Sequence, residues 1–190
     1  MHEHPLAEDA QAGDVRHVLF PLPPEDTGSM NENDKLEALR RSLLAAELDD
    51  GETQALADRM GVTTLCDGEV LVAEGDLCQT LFLQAAGAMQ CYRDQAGGKE
   101  DILYQMHVGE CVGTRSFIDG SAYVFGLRSV GDSRVMTLES AALEAMEDDH
   151  PRLLYKVMRA FVLITHATLA RLRLEDAELR NYLWASGGRY

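Results

Sequence analysis

Between Asp34 and Leu48 the leucines of DKLEALRRSLLAAEL fall at Leu36, Leu39, Leu43 and Leu44. That i, i+3, i+7, i+8 spacing lines one side of an α-helix and predicts one here. The next segment, LDDGETQALADRM, opens with a capping box. The Asp49 carboxylate can accept the Glu52 amide, while the Glu52 carboxylate reaches back to the Asp49 amide. A second helix is therefore predicted from Asp49 to about Met60–Gly61. From Val62 the apolar period changes to two. VTTLCDGEVLVAEGD reads as two β-rich runs around a turn at Asp67–Gly68, and TLFLQAAGAMQCYRD as two more, broken at Gly87. QAGG turns the chain into KEDILYQMH, followed by GECVG and a glycine-punctuated loop. YVFGLRSV and SRVMTLES then flank a turn at Gly131–Asp132. Many short strands at close, regular spacing predict an antiparallel jelly roll or barrel.

The period returns to helical after Glu139. Ser140 is placed to cap AALEAMEDD, and Pro151 stands where the first turn of a helix tolerates proline. From Pro151 the chain runs without glycine or further proline to Ser186. Leu154, Met158, Phe161, Thr165, Thr168, Leu172 and Leu179 follow the four-three spacing of a coiled-coil seam, interrupted at Glu175. So long a helix cannot bury its whole apolar stripe on one small β-domain. A twin helix is the remedy, so a homodimer is expected, with those seven residues as its interface. The two threonines narrow the middle of the seam, and each hydroxyl can bond back to a carbonyl one turn earlier.

Three units follow from this patterning: an acidic, disordered tail over 1–33, a β-domain with its entry helices over 34–148, and a dimerisation helix and tail over 149–190. The fold class is α+β. Of the residues, 46% are hydrophobic and 26% charged, which suits a soluble domain, but the formal net charge of −15 is unusual. A duplex or an anionic membrane needs clustered lysine and arginine, so neither is expected as a partner. No basic stretch leading into an apolar run marks a signal peptide at the start. No segment reads as long and apolar enough to span a bilayer, and a cytoplasmic protein is expected. Cys66, Cys78, Cys91 and Cys111 are widely spaced, and His2, His4 and His17 are scattered through the tail. Neither set has metal-ligand spacing, so no metal or other cofactor is expected. No spacing supports a nucleophile–base pair, and an enzyme is not expected.

The order helix, roll, short helix, long helix resembles the cyclic-nucleotide-binding domain of the catabolite-activator and fumarate-nitrate-regulator type, over about Lys35 to Trp184. The resemblance extends to residues. CDGEVLVAEGD is similar to that family's x-x-G-E-x-I-x-x-E-G-D, and TLFLQAAGAMQCY to its x-L-Y-x-I-x-x-G-x-V-x-V. VGECVG matches the x-G-x-x-F-G that opens the phosphate-binding cassette. The joint placement of Gly68, Gly75, Gly87, Gly109 and Gly113 carries much of its specificity. The resemblance implies a cupin-like, double-stranded β-roll with N-terminal helices and a regulatory function. The metalloenzymes that share this roll need a His-x-His…Glu…His pattern, which the strands lack.

In the family, a glutamate after F-G holds the ribose hydroxyl, and an arginine in P-R-[ST]-A pairs with the cyclic phosphate. Aligned without gaps from Gly113, the glutamate position holds Thr114, and the Pro-Arg position holds Ala122–Tyr123, followed by Val124. Arg128 falls on the strand face opposite Tyr123, Phe125 and Leu127, so it is expected to face solvent. Glu175 and Asp176 stand where the catabolite activator offers a Thr-Ser pair to the base. The cassette residues to follow are thus Gly109, Glu110, Gly113, Thr114, Arg115, Ser116, Tyr123 and Val124. Two functional classes remain. One is a dimeric regulatory module that does not take cyclic AMP or cyclic GMP in the usual way and acts through a protein partner. The other is a sensor of a non-standard nucleotide or other anion, held by an amide nest at Gly113–Ser116. The family's helix-turn-helix would begin near NYLWASGGRY, and no DNA reader is expected.

Overall fold

A computed structural model describes residues 30–95 and 99–187, without the side chains of 171, 172 and 174–187. The expected tail, with its three histidines, lies outside the described residues up to residue 29. Helix α1 (Glu32–Arg40) starts at Asn31, whose side chain accepts the Asp34 amide at 2.9 Å. It stops sooner than its leucines predict. Ser42 adopts an extended conformation and its hydroxyl donates to the Leu39 carbonyl at 2.7 Å, so only a 3-10 turn, Leu43–Ala45, follows. That break sends Leu44 into the core and leaves Leu43 exposed.

Helix α2 (Asp50–Ala57) has the predicted capping box, with both bonds formed at 2.8 and 2.9 Å. Glu52 also pairs with Lys156 of the last helix. The Lys156 ammonium first, and the Asp49 amide second, hold its carboxyl below its ordinary value near 4.5. Glu52→Gln keeps the cap, because glutamine serves equally at this position, and removes only the charge. At neutral pH the variant should lose about 0.2–1 kcal/mol, as partly exposed ion pairs do. A depressed folded-state pKa contributes stability that is present above the unfolded value and lost on acidification. The gap between wild type and variant should therefore close as pH falls through 4.5 and below. Urea titrations at a series of pH values test this, and a gap that stays constant would remove the ion pair from the account.

The roll contains β1 (Gly61–Leu65), β2 (Val70–Val72), β3 (Thr80–Asp94), β4 (Glu100–Met106), β5 (Cys111–Val112) and β6 (Gly126–Glu139). All its pairings are antiparallel. Strands β1 and β2 pair with β6 rather than with each other, and β4 and β5 pair with β3. The long pair runs from Thr80 opposite Glu139 to Tyr92 opposite Gly126. The breaks predicted at Gly87 and Gly131 are bends within continuous strands, with slips of register between Gln84 and Ala88. Gly87 takes φ 75°, and a Cβ there would lie 2.3 Å from the Asp132 carbonyl oxygen, so the two strands bend together in close contact. Six strands thereby supply the eight legs of a roll.

Side-chain alternation along β3 divides the core. Leu81 and Leu83 face a helical floor with Leu39, Leu56, Met136, Leu138 and Val157, while Phe82 faces the roll's interior with Leu65, Met89, Met106, Leu127 and Val135. Helix α4 (Ser140–Glu144) is capped at Glu139, and Ser140 makes no capping bond because it is already the first helical residue. Helix α5 (Pro151–Gly187) begins at the predicted proline. It lies on the floor through Leu153, Val157, Ala160, Phe161 and Ile164, and Arg159 meets Glu47 at 2.8 Å. The reading that no segment is apolar enough to cross a bilayer is corrected: Pro151–Ala170 qualifies by length and composition, with a mean hydropathy of 1.3. Its apolarity comes from two apolar faces, one on the floor and one outward. The outward face carries Tyr155, Met158, Val162, Thr165 and Leu169.

Candidate functional site

The segment after β4 divides into a structural half and a cavity-lining half. Gly109 donates its amide to Gln84 at 2.9 Å. The Glu110 carboxylate takes the Tyr104 hydroxyl at 2.6 Å and the His107 amide at 2.8 Å. These two residues hold the turn against β3 and do not line the cavity. The predicted Gly113–Ser116 loop is instead the start of helix α3 (Thr114–Asp119), with Gly113 at its N-cap in the left-handed region. Gly113 accepts the Phe117 amide at 2.9 Å. Arg115 points along the helix surface to Asp119, 3.5 Å away, with 67% of its side chain exposed.

Tyr123 fills the interior behind this turn. Only 3% exposed, it donates its hydroxyl to the Thr80 carbonyl at 2.6 Å. Its ring tilts against Phe82 at 5.9 Å and meets Phe125 edge-on at 6.5 Å. Burial pushes the phenol far above its ordinary value, so it remains neutral. The hydroxyl lies so near Gly113 that a Cβ there would be 2.0 Å from the oxygen. The chain thus places here an uncharged ring whose oxygen is already satisfied.

A cavity of about 230 Å³ remains between this wall and α5. Gly113, Thr114, Arg115, Ser116, Tyr123 and Val124 line it, together with Ile164, Thr165, Thr168 and Leu169 from the helix. Val124 stands at the rim, 44% exposed. Cys111 also contributes to the wall, and burial, with Glu110 adding to it, pushes its thiol up to about 12. A thiol so shifted stays protonated and is a poor nucleophile. Arg128 does not enter the cavity. It lies over the Tyr92 ring, 4.9 Å from its centre, and makes two bonds to Glu100 at 3.0 and 2.6 Å. It ties β6 to β4 on the outside of the roll.

The long helix meets the roll one position away from the predicted seam. Phe161 is 2% exposed and packs edge-on against Phe117 at 5.2 Å, and Leu154 packs partly buried on the same floor. Both are committed to their own domain and leave the outward stripe. Met158 and Thr165 remain on it. Thr168 sits beside it on the cavity wall, and both threonine hydroxyls bond back to carbonyls one turn earlier, at 2.8 and 3.0 Å. The side chains of Leu172, Leu179, Glu175 and Asp176 lie outside the described residues. Sequence reasoning missed Ile164 and Leu169 as cavity walls. Their only local signal is a second apolar stripe offset from the first.

Residues 62–150 match the family described as the cyclic nucleotide-binding domain. The cyclic AMP receptor protein of Thermus thermophilus is 32% identical over 114 residues, covering 59% of this chain and 48% of that protein. A cyclic nucleotide-binding domain from Methylobacillus flagellatus superposes with a TM-score of 0.65 at 20% identity, over 74% of this chain and 79% of the other. The N-terminal domain of a transcriptional regulator from Streptomyces coelicolor gives 0.60 at 25% identity, over 75% and 94%. The chain spans less than half the length of the curated relatives it matches.

Proposed function

We propose that this chain, whose residues 62–150 are a cyclic nucleotide-binding domain of the catabolite-activator and fumarate-nitrate-regulator type, works as a non-catalytic, homodimeric cytoplasmic regulator that does not take cyclic AMP or cyclic GMP. The observation that carries this reading is Tyr123. In the ungapped alignment from Gly113 it stands at the position of the family's phosphate-pairing arginine, and its ring and its bond to Thr80 fill the interior there. A phosphate would lose charge-assisted bonds of about 1.5–3 kcal/mol each and would have to displace the ring. With a net charge of −15, the surface suits a protein partner better than a nucleic acid.

The test is thermal unfolding with cyclic AMP or cyclic GMP at millimolar concentration. A ligand at a hundredfold excess over its Kd stabilises the native state by about 2.7 kcal/mol, which moves the Tm of a domain this size by several degrees. No shift is expected. A saturable rise with either nucleotide would end the filled-cassette reading.

Dimerisation is proposed through the outward stripe of α5. Tyr155, Met158, Val162, Thr165 and Leu169 repeat at three-four spacing, the pattern that meshes with a copy of itself in a parallel pair. Tyr155 is 62% and Val162 55% exposed in the single chain, so much apolar surface is available to bury. Each fully buried large side chain contributes about 1.5–3 kcal/mol. Wild type should sediment as a dimer at micromolar concentration, and Val162→Asp as a folded monomer with a largely unchanged far-ultraviolet circular dichroism spectrum. A monomeric wild type would remove the dimer from the proposal.

A further inference from the structure

We infer that the cavity between α3, β6 and α5 is a receptor site for a compact aromatic molecule carrying a single hydrogen-bonding group. The inference rests on the reading that Tyr123 closes the phosphate position, and it names what the remaining space accepts. Val112, Ala122, Phe125, Ile164 and Leu169 give the cavity apolar walls. A dry cavity of about 150 Å³ with such walls holds one benzene ring. The 230 Å³ available here suits two fused rings.

The polar groups on the wall are few, and most are already used. Tyr123 donates to Thr80, and Thr165 and Thr168 donate to carbonyls of their own helix. Arg115 stands largely in solvent beside Asp119, which offsets its charge. What remains is a pair of hydroxyls, on Thr114 and Ser116. Among the described residues neither side chain makes a hydrogen bond, and neither hydroxyl is a fully buried, unsatisfied atom, although Ser116 as a whole is only 4% exposed. Such a hydroxyl is available to a ligand, and both residues stand on the first turn of α3 and line the cavity. One polar group on a ligand can meet either, since side chains two apart on a helix do not share a face. A phosphate or a sugar would bring more polar atoms than the walls can satisfy. A molecule without any would leave the hydroxyls unpaired.

The probes are 2-naphthol, naphthalene and cyclic AMP, titrated into the full chain and followed by calorimetry and by backbone amide NMR. We expect 2-naphthol to bind saturably, one per chain, and to shift the amide signals of Val112, Ala122, Phe125 and Ile164. It should bind about tenfold more tightly than naphthalene, the ratio of a neutral hydrogen bond. Thr114→Val with Ser116→Ala should abolish that preference while leaving naphthalene binding intact. Ala122→Phe, which fills the cavity, should weaken both at least tenfold. If that variant does not fold, the amide map on the wild type decides. Absence of 2-naphthol binding up to its solubility, or shifts confined to residues away from the cavity, would overturn the inference while the filled-cassette reading stands. Binding of cyclic AMP would overturn both.

Discussion

Phe161→Asp should leave the domain unfolded, not merely monomeric. Phe161 belongs to the floor that joins the helices to the roll, where its ring meets the edge of Phe117 at 5.2 Å and 2% of the residue is exposed. Truncating such a ring costs about 3–5 kcal/mol by itself. A carboxylate in its place adds the penalty for burying a charge among apolar side chains. Together these approach the whole stability of a domain, about 5–15 kcal/mol. Val162→Asp, one residue on and 55% exposed, serves as the control and should stay folded. Circular dichroism and urea titration distinguish the two. A Phe161→Asp protein with a native melting curve would mean that α5 does not rest on the floor as described.

Gly113→Ala should cost about 2–4 kcal/mol, from left-handed backbone strain together with overpacking. Gly113 has φ 93°, and its new Cβ would lie 2.0 Å from the Tyr123 hydroxyl and 2.8 Å from the Thr80 carbonyl oxygen. The methyl group can enter only if Tyr123 gives up its bond to Thr80 or β5 moves off β3. Because the closest clash is with the hydroxyl oxygen, Tyr123→Phe should be a partial suppressor. In the Gly113→Ala background it should restore 1 kcal/mol or more, a coupling of the size that contacting residues show. Chemical denaturation of the four proteins in the cycle measures it. Strict additivity would mean that the tyrosine does not press against the turn.

The local signals in the sequence survive almost intact. The capping box at Asp49 and Glu52, the proline opening α5 and the left-handed glycines at the roll's turns all stand where their chemistry predicts. What local pattern could not supply was the response of a partner. Gly87 and Gly131 look like strand ends, yet both strands continue because each bends where the other does. Helix α5 carries two apolar stripes, Leu153–Val157–Ala160–Ile164 and Tyr155–Met158–Val162–Leu169, and a four-three template placed between them takes residues from both. The choice of stripe is made by packing on the floor, beside which Lys156 meets Glu52 and Arg159 meets Glu47, contacts that span more than a hundred positions of sequence. The proximity of Thr114 and Tyr123 was legible because both lie within one short segment. The cavity was not, because one side of its wall (Ile164, Thr165, Thr168 and Leu169) arrives from α5.

The long β3–β6 pair also sets an order of assembly. At its Tyr92–Gly126 end the partners are separated by 34 positions, and at its Thr80–Glu139 end by 59. Closing the shorter loop costs less entropy, so pairing is favoured to begin at the tip and zip toward the base. Leu81, Leu83, Met136 and Leu138 come together only when the base has closed, and they are the strand part of the floor that Phe161 and Val157 share. The last helix also rests on Leu44, Ala45 and Leu56 from the entry helices, so the roll completes rather than creates its floor. A growing chain that has not yet closed its roll therefore has neither a complete floor nor a finished cavity.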